Sequence, residues 1–97
     1  MHEDKVAEIQ SYLVRHLPDC RITNHYDFDH EAQRFKVRHG RMATHTLLVE
    51  EGGIDHNTTA DLNRLLDRAI NHLRLTAPQV QVRIGRRGVT VEQIVED

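Results

Sequence analysis

Side chains alternate between apolar and polar from position 20 to position 49, then recur at helical spacing from 58 to 75. A period of two requires a pleated strand with one buried face, and a period near 3.6 requires a helix with one apolar stripe. The chain must therefore build a sheet and cover it. The fold class predicted is α+β: an antiparallel sheet of three strands plus a C-terminal hairpin, with two helices packed on one face, in the order α-β-β-β-α-β-β.

The first helix is read over positions 3–17. Val6, Ile9, Leu13 and Leu17 recur at steps of three and four, Glu3 and Asp4 open it, and Pro18 stops it. Strand 1 turns Cys20, Ile22, Tyr26 and Phe28 inward and Arg21, Thr23, His25 and Asp27 outward. After a turn at 29–32, strand 2 turns Phe35 and Val37 inward and Arg34, Lys36 and Arg38 outward; Gly40 marks the next turn and strand 3 covers 43–49. Positions 50–57 contain Gly52-Gly53 and read as the longest loop. Thr58 and Asp61 then form a capping box for a helix whose stripe is Leu62, Leu65, Leu66, Ala69, Ile70 and Leu73. Beyond Pro78, Val80, Val82 and Ile84 alternate before Gly85-Arg86-Arg87-Gly88 turns the chain into Val89 and Val91; positions 89–97 fit a strand or a short helix. No internal repeat divides the chain, so 1–97 reads as one α+β domain.

Up to the second helix this order is similar to that of double-stranded RNA-binding domains and of the small HicA-type ribonuclease toxins. The similarity is one of element order. The Gly-Ser-His strand motif of the toxins has no counterpart here, and where the RNA-binding domains have a Lys-rich start to the last helix this chain has Thr58-Thr59-Ala60-Asp61.

A chain of 97 residues can bury about two-thirds of the surface its unfolded form exposes, enough for a core without disulfides. Cys20 is the sole cysteine and excludes an intramolecular bridge. The first residues lack the basic start and apolar run of a secretory signal, and no apolar stretch approaches the roughly 18 residues of a membrane span. A cytoplasmic protein without membrane contact is expected. Thirteen basic residues against fifteen acidic ones give a formal charge of −2, which disfavours a phosphate-backbone binder. Eight scattered histidines would carry that charge to +6 if all were protonated, so the chain is expected to respond to pH near 6.

Inward parity limits the strand registers, because a slip of one residue would invert every side chain. The simplest choice sets Tyr26 opposite Phe35 and Asp27 opposite Arg34, then Phe35 opposite Leu47, Val37 opposite His45 and His39 opposite Ala43. The helix-facing surface then divides into an aromatic half (Tyr26, Phe28, Phe35, Leu47) and a polar half (Cys20, Asn24, His39, His45). Those four polar residues are the catalytic candidates, with His39 and His45 as acid and base. Zinc would need three or four ligands and the only spacing is His39-x5-His45, so neither a metal nor a cofactor is expected. Arg83, Arg86 and Arg87 are candidate ligand-binding residues for a phosphate or carboxylate. The leading function is a small non-enzymatic binding or regulatory module that contacts a protein partner or a second copy. The alternative is a histidine-dependent ribonuclease, or a nucleic-acid binder using Arg34, Lys36, Arg38 and the final hairpin.

Overall fold

A computed structural model describes residues 3–40, 44–75, 80–86 and 88–93. In chain order the elements are α1 (Glu3–His16), β1 (Cys20–Asp27), β2 (Ala32–His39), β3 (Thr44–Glu50), α2 (Glu51–His56), α3 (Thr59–Leu75), β4 (Val80–Gly85) and β5 (Gly88–Gln93). The five strands form one sheet in the order β1-β2-β3-β4-β5. Pairing is antiparallel except between β3 and β4, which run parallel. The C-terminal hairpin is thus an extension of a mixed sheet, which corrects the expected antiparallel sheet with an added hairpin. Parallel neighbours need a crossover, and α2 and α3 supply it. The tail reads as strand through Gln93.

All three helices pack on one face. The core joins Ile9, Tyr12 and Leu13 of α1, Ile54 of α2, and Leu66, Ala69, Ile70 and Leu73 of α3 to Ile22, Phe35, Val37, Leu47, Val49, Val82 and Ile84 of the sheet. Register places every one of those strand residues on the same side. Among the described residues, no helix lies on the other side.

The segment expected to be a loop is α2. Its two glycines are a sign of close packing here, since a Cβ on Gly53 would meet the Gly85 carbonyl carbon and oxygen at 3.2 Å. That approach lets Ile54, 2% exposed, reach the core. The far end of α2 is closed by Lys5, whose ammonium donates to the Ile54 and Asn57 carbonyls at 2.9 and 3.0 Å. A cation there satisfies orphan carbonyls and complements the helix dipole. At the start of α3, Thr58 Oγ1 accepts the Asp61 amide at 3.2 Å, as the capping box requires.

The β2–β3 register matches the parity argument, with Phe35 opposite Leu47 and Val37 opposite His45; the expected partner of His39, Ala43, lies outside the described residues. The β1–β2 register differs by two residues: Asn24, not Tyr26, faces Phe35, and Tyr26 faces Gln33. The turn chemistry decides this. The expected register would leave His30-Glu31 as a two-residue loop with positive φ at both positions, which suits neither side chain. The observed turn closes Asp27 on Ala32 and needs a positive φ only at Glu31, at 49°. Asp27 holds it, accepting the His30 amide at 3.2 Å. Phe28 is therefore in the turn and 83% exposed, stacked edge-on against the half-exposed Tyr26. The expected aromatic half of the core is reduced to Phe35 and Leu47.

Candidate functional site: the uncovered face of the sheet

Sequence reasoning placed the catalytic candidates on the helix-facing side at one end of the sheet. Cys20 stands directly opposite His39, with Sγ 3.4 Å from Nδ1. His45 sits diagonally across on β3, half-buried, while His39 is exposed. Asn24 is elsewhere. The register difference moves it beside Phe35, where its amide donates to Gln10 Oε1 at 2.9 Å and its oxygen accepts from Gln33 at 2.8 Å. The same Gln10 donates to the Ile22 carbonyl at 2.8 Å, so Asn24 belongs to a polar seam tying α1 to the edge strand. Burial, reinforced by Asp19, pushes the Cys20 thiol up from its ordinary pKa despite the opposing Arg74. A thiol held in its neutral form is a poor nucleophile. Among the described residues, no group of three or more His, Cys, Asp or Glu side chains could hold a metal ion.

Of the arginine trio, Arg83 and Arg86 line one cleft together with Glu50 and Glu92. Arg83 lies on the uncovered face between two acids, 3.4 Å from Glu50 Oε1 and 3.4 Å from Glu92 Oε1. Its Nε is buried without a well-oriented acceptor, so only the ion pairing offsets its desolvation. Arg86 occupies the β4–β5 turn, and Arg87 lies outside the described residues.

The uncovered face itself has two unlike ends. Towards the β1–β2 turn, Arg34 and Arg83 each have a carboxylate. Arg34 Nη2 is 2.5 Å from Asp27 Oδ2, and the guanidinium holds that carboxyl far below the usual range, with further help from the His30 amide and ring. Register sets Leu48 between Arg34 and Arg83, and Leu48 is fully buried although it points away from the helices. Arg34 and Arg83, paired with Asp27, Glu50 and Glu92, flank it in the same row, where their aliphatic stems are placed to shield it.

At the opposite end the pairing stops. Arg21 faces Arg38 across the strands, and Lys36 is two residues from Arg38 on the same side. All three are exposed, and none has a hydrogen bond or ion pair among the described residues. Like charges directly opposite each other destabilise a sheet. Thr23, Thr44 and Thr46 fill the same rows and supply hydroxyl groups. The outward basic residues of strand 2 were visible in the sequence, but Arg21 was missed as their companion because only the observed register brings it opposite Arg38.

No protein-family model matches the chain, and neither a curated protein nor a solved structure matches it. Among the described residues, no helix is long and apolar enough to cross a membrane.

Proposed function

We propose that the chain is a non-enzymatic binding module whose uncovered sheet face docks an acidic segment of a partner protein. The supporting observation is the unneutralised group of Arg21, Lys36 and Arg38, set beside an end of the same face where the cations are paired. Opposed arginines cost stability in the free protein, and carboxylates from a partner would relieve that repulsion with bidentate hydrogen bonds. Strands of 8, 8, 7, 6 and 6 residues, at about 3.3 Å per residue and about 4.8 Å apart, give a face of roughly 550 Å². That approaches the roughly 800 Å² per partner of a standard interface.

Nucleic acid is the less favoured occupant. Among the described residues the face carries no Phe, Tyr or Trp and only the His25 ring for a base to stack on, and the formal net charge is −2. The test is NMR titration with a polyglutamate peptide, compared with labelled duplex RNA at the same physiological salt. The peptide should shift amides around Arg21, Lys36 and Arg38, and charge reversal at those three positions should abolish the response. RNA binding tighter than about 10⁻⁶ M, beyond the usual non-specific range, would transfer this face to nucleic acid.

A further inference from the structure

A cleft of about 330 Å³ opens between the first turns of α3 and the β4–β5 turn, on a different part of the molecule. Its walls include Asp61, Arg64, Leu65, Arg68 and Arg86. Arg64 and Arg68 are four residues apart on α3 and so share one helix face, where like charges repel. Asp61 answers one of them, accepting a hydrogen bond from Arg64. The next acid along the helix, Asp67, accepts instead from the Tyr12 hydroxyl of α1. Arg68 and Arg86 are left with no hydrogen bond or ion pair among the described residues.

We infer that this cleft binds the phosphate group of a small phosphomonoester. Three guanidinium groups against one carboxylate leave two positive charges in surplus. A phosphomonoester carries about −1.5 to −2 at neutral pH and matches that surplus, whereas a single carboxylate would leave positive charge unanswered. Guanidinium forks bind phosphate oxygens in a bidentate manner, and guanidinium groups reaching in from a helix and a turn can meet different oxygens of one group. The cleft is at the small end of the roughly 300 to 1,000 Å³ typical of ligand sites, which suits a compact molecule. The helix end contributes little, because the Asp61 amide is already bonded to Thr58 Oγ1 and the Leu62 amide to the Thr58 carbonyl. The attraction comes from the arginines.

The experiment is an NMR titration of the full chain with inorganic phosphate and then with phosphoserine, following the arginine Nε–H signals, with sodium chloride at matched ionic strength as the blank. Saturating shifts of Arg64, Arg68 and Arg86 are expected. Loss of one charge-assisted contact should weaken binding roughly tenfold in Arg68→Ala and in Arg86→Ala. Arg68→Lys keeps the charge without the fork and should fall between wild type and Arg68→Ala. Arg74→Ala, at the far end of the same helix, should bind as wild type does. Shifts that chloride reproduces, or an equal loss in Arg74→Ala, would reduce the effect to general surface charge and overturn the inference.

Discussion

The two faces of the sheet are built from the same strands by opposite rules. On the helix-facing side, Phe35, Leu47 and Val82 lie in one row and are completely buried beneath the helices, so stability there comes from apolar area and close packing. On the other side one row lies over, Arg34, Leu48 and Arg83 substitute charged stems for a second layer. Further along that side even this substitute ends, and Arg21 and Arg38 oppose each other without a carboxylate. The comparison separates parts of the surface that serve the fold from a part that costs the fold something.

Four substitutions test that separation, beginning with the largest effect. Phe35→Ala should lower the unfolding free energy by about 4 kcal/mol, as removal of a buried aromatic from a packed core does. Leu48→Ala, equally buried but flanked by flexible arginine stems that can close over the gap, should cost only about 2 kcal/mol. Denaturant melts of the two variants measure the contrast, and equal losses would mean that the two faces are packed alike.

Tyr12→Phe tests the polar tie between α1 and α3 above the buried face, and should cost about 1 kcal/mol at neutral pH. Burial, the hydrogen bond to Asp67 and the charge of Asp67 push the Tyr12 pKa up to about 12. The fold thus favours the neutral phenol over an unfolded value of about 10. Its contribution should be fully present below about pH 10 and lost as pH rises through the folded value, so the gap between wild type and Tyr12→Phe should narrow over that range. A gap that stays constant across an alkaline series of melts would remove the phenol from the tie.

The smallest effect has the opposite sign. Arg38→Glu places a carboxylate opposite Arg21 and should raise stability by a few tenths of a kcal/mol, up to about 1 kcal/mol. It should also weaken the polyglutamate response. A variant that gained stability and kept that response would separate the exposed cations from binding.

Much of the helix-facing layer could be read from periodicity, because Phe35, Val37 and the α3 stripe each repeat with the period of their own element. The β2–β3 register followed from parity and Gly40. The β1–β2 register did not, since it depends on Asp27 bonding to the His30 amide and on Glu31 accepting a positive φ, and no hydrophobic pattern encodes either. Gly52 and Gly53 suggested a loop because glycine is a poor helix former, yet the close approach of Gly53 to Gly85 is a tertiary fact. The parallel partnership of β3 with β4 was invisible for a similar reason, as strand alternation specifies a face and not a neighbour. Of the sites, the basic outward residues of β2 were legible singly. The grouping of Arg64 and Arg68 with Arg86 was not, because it arises only when the final hairpin docks beside α3.

The parallel join has a consequence for the order in which the molecule assembles. β1, β2 and β3 find one another across short turns, and β4 finds β5 in the same way, so two local units can form early. They meet only along Thr46 to Val49 with Gln81 to Ile84, after the chain has travelled through α2 and α3. Such long-range closure is slow, because its entropic cost is met before its contacts form. Amide exchange under native conditions should therefore find a seam, with the hairpin strands opening as a unit while the first three strands stay protected. The β4–β5 turn that carries Arg86 is on the later-docking unit, so the phosphate cleft would exist only in chains that have completed this last step.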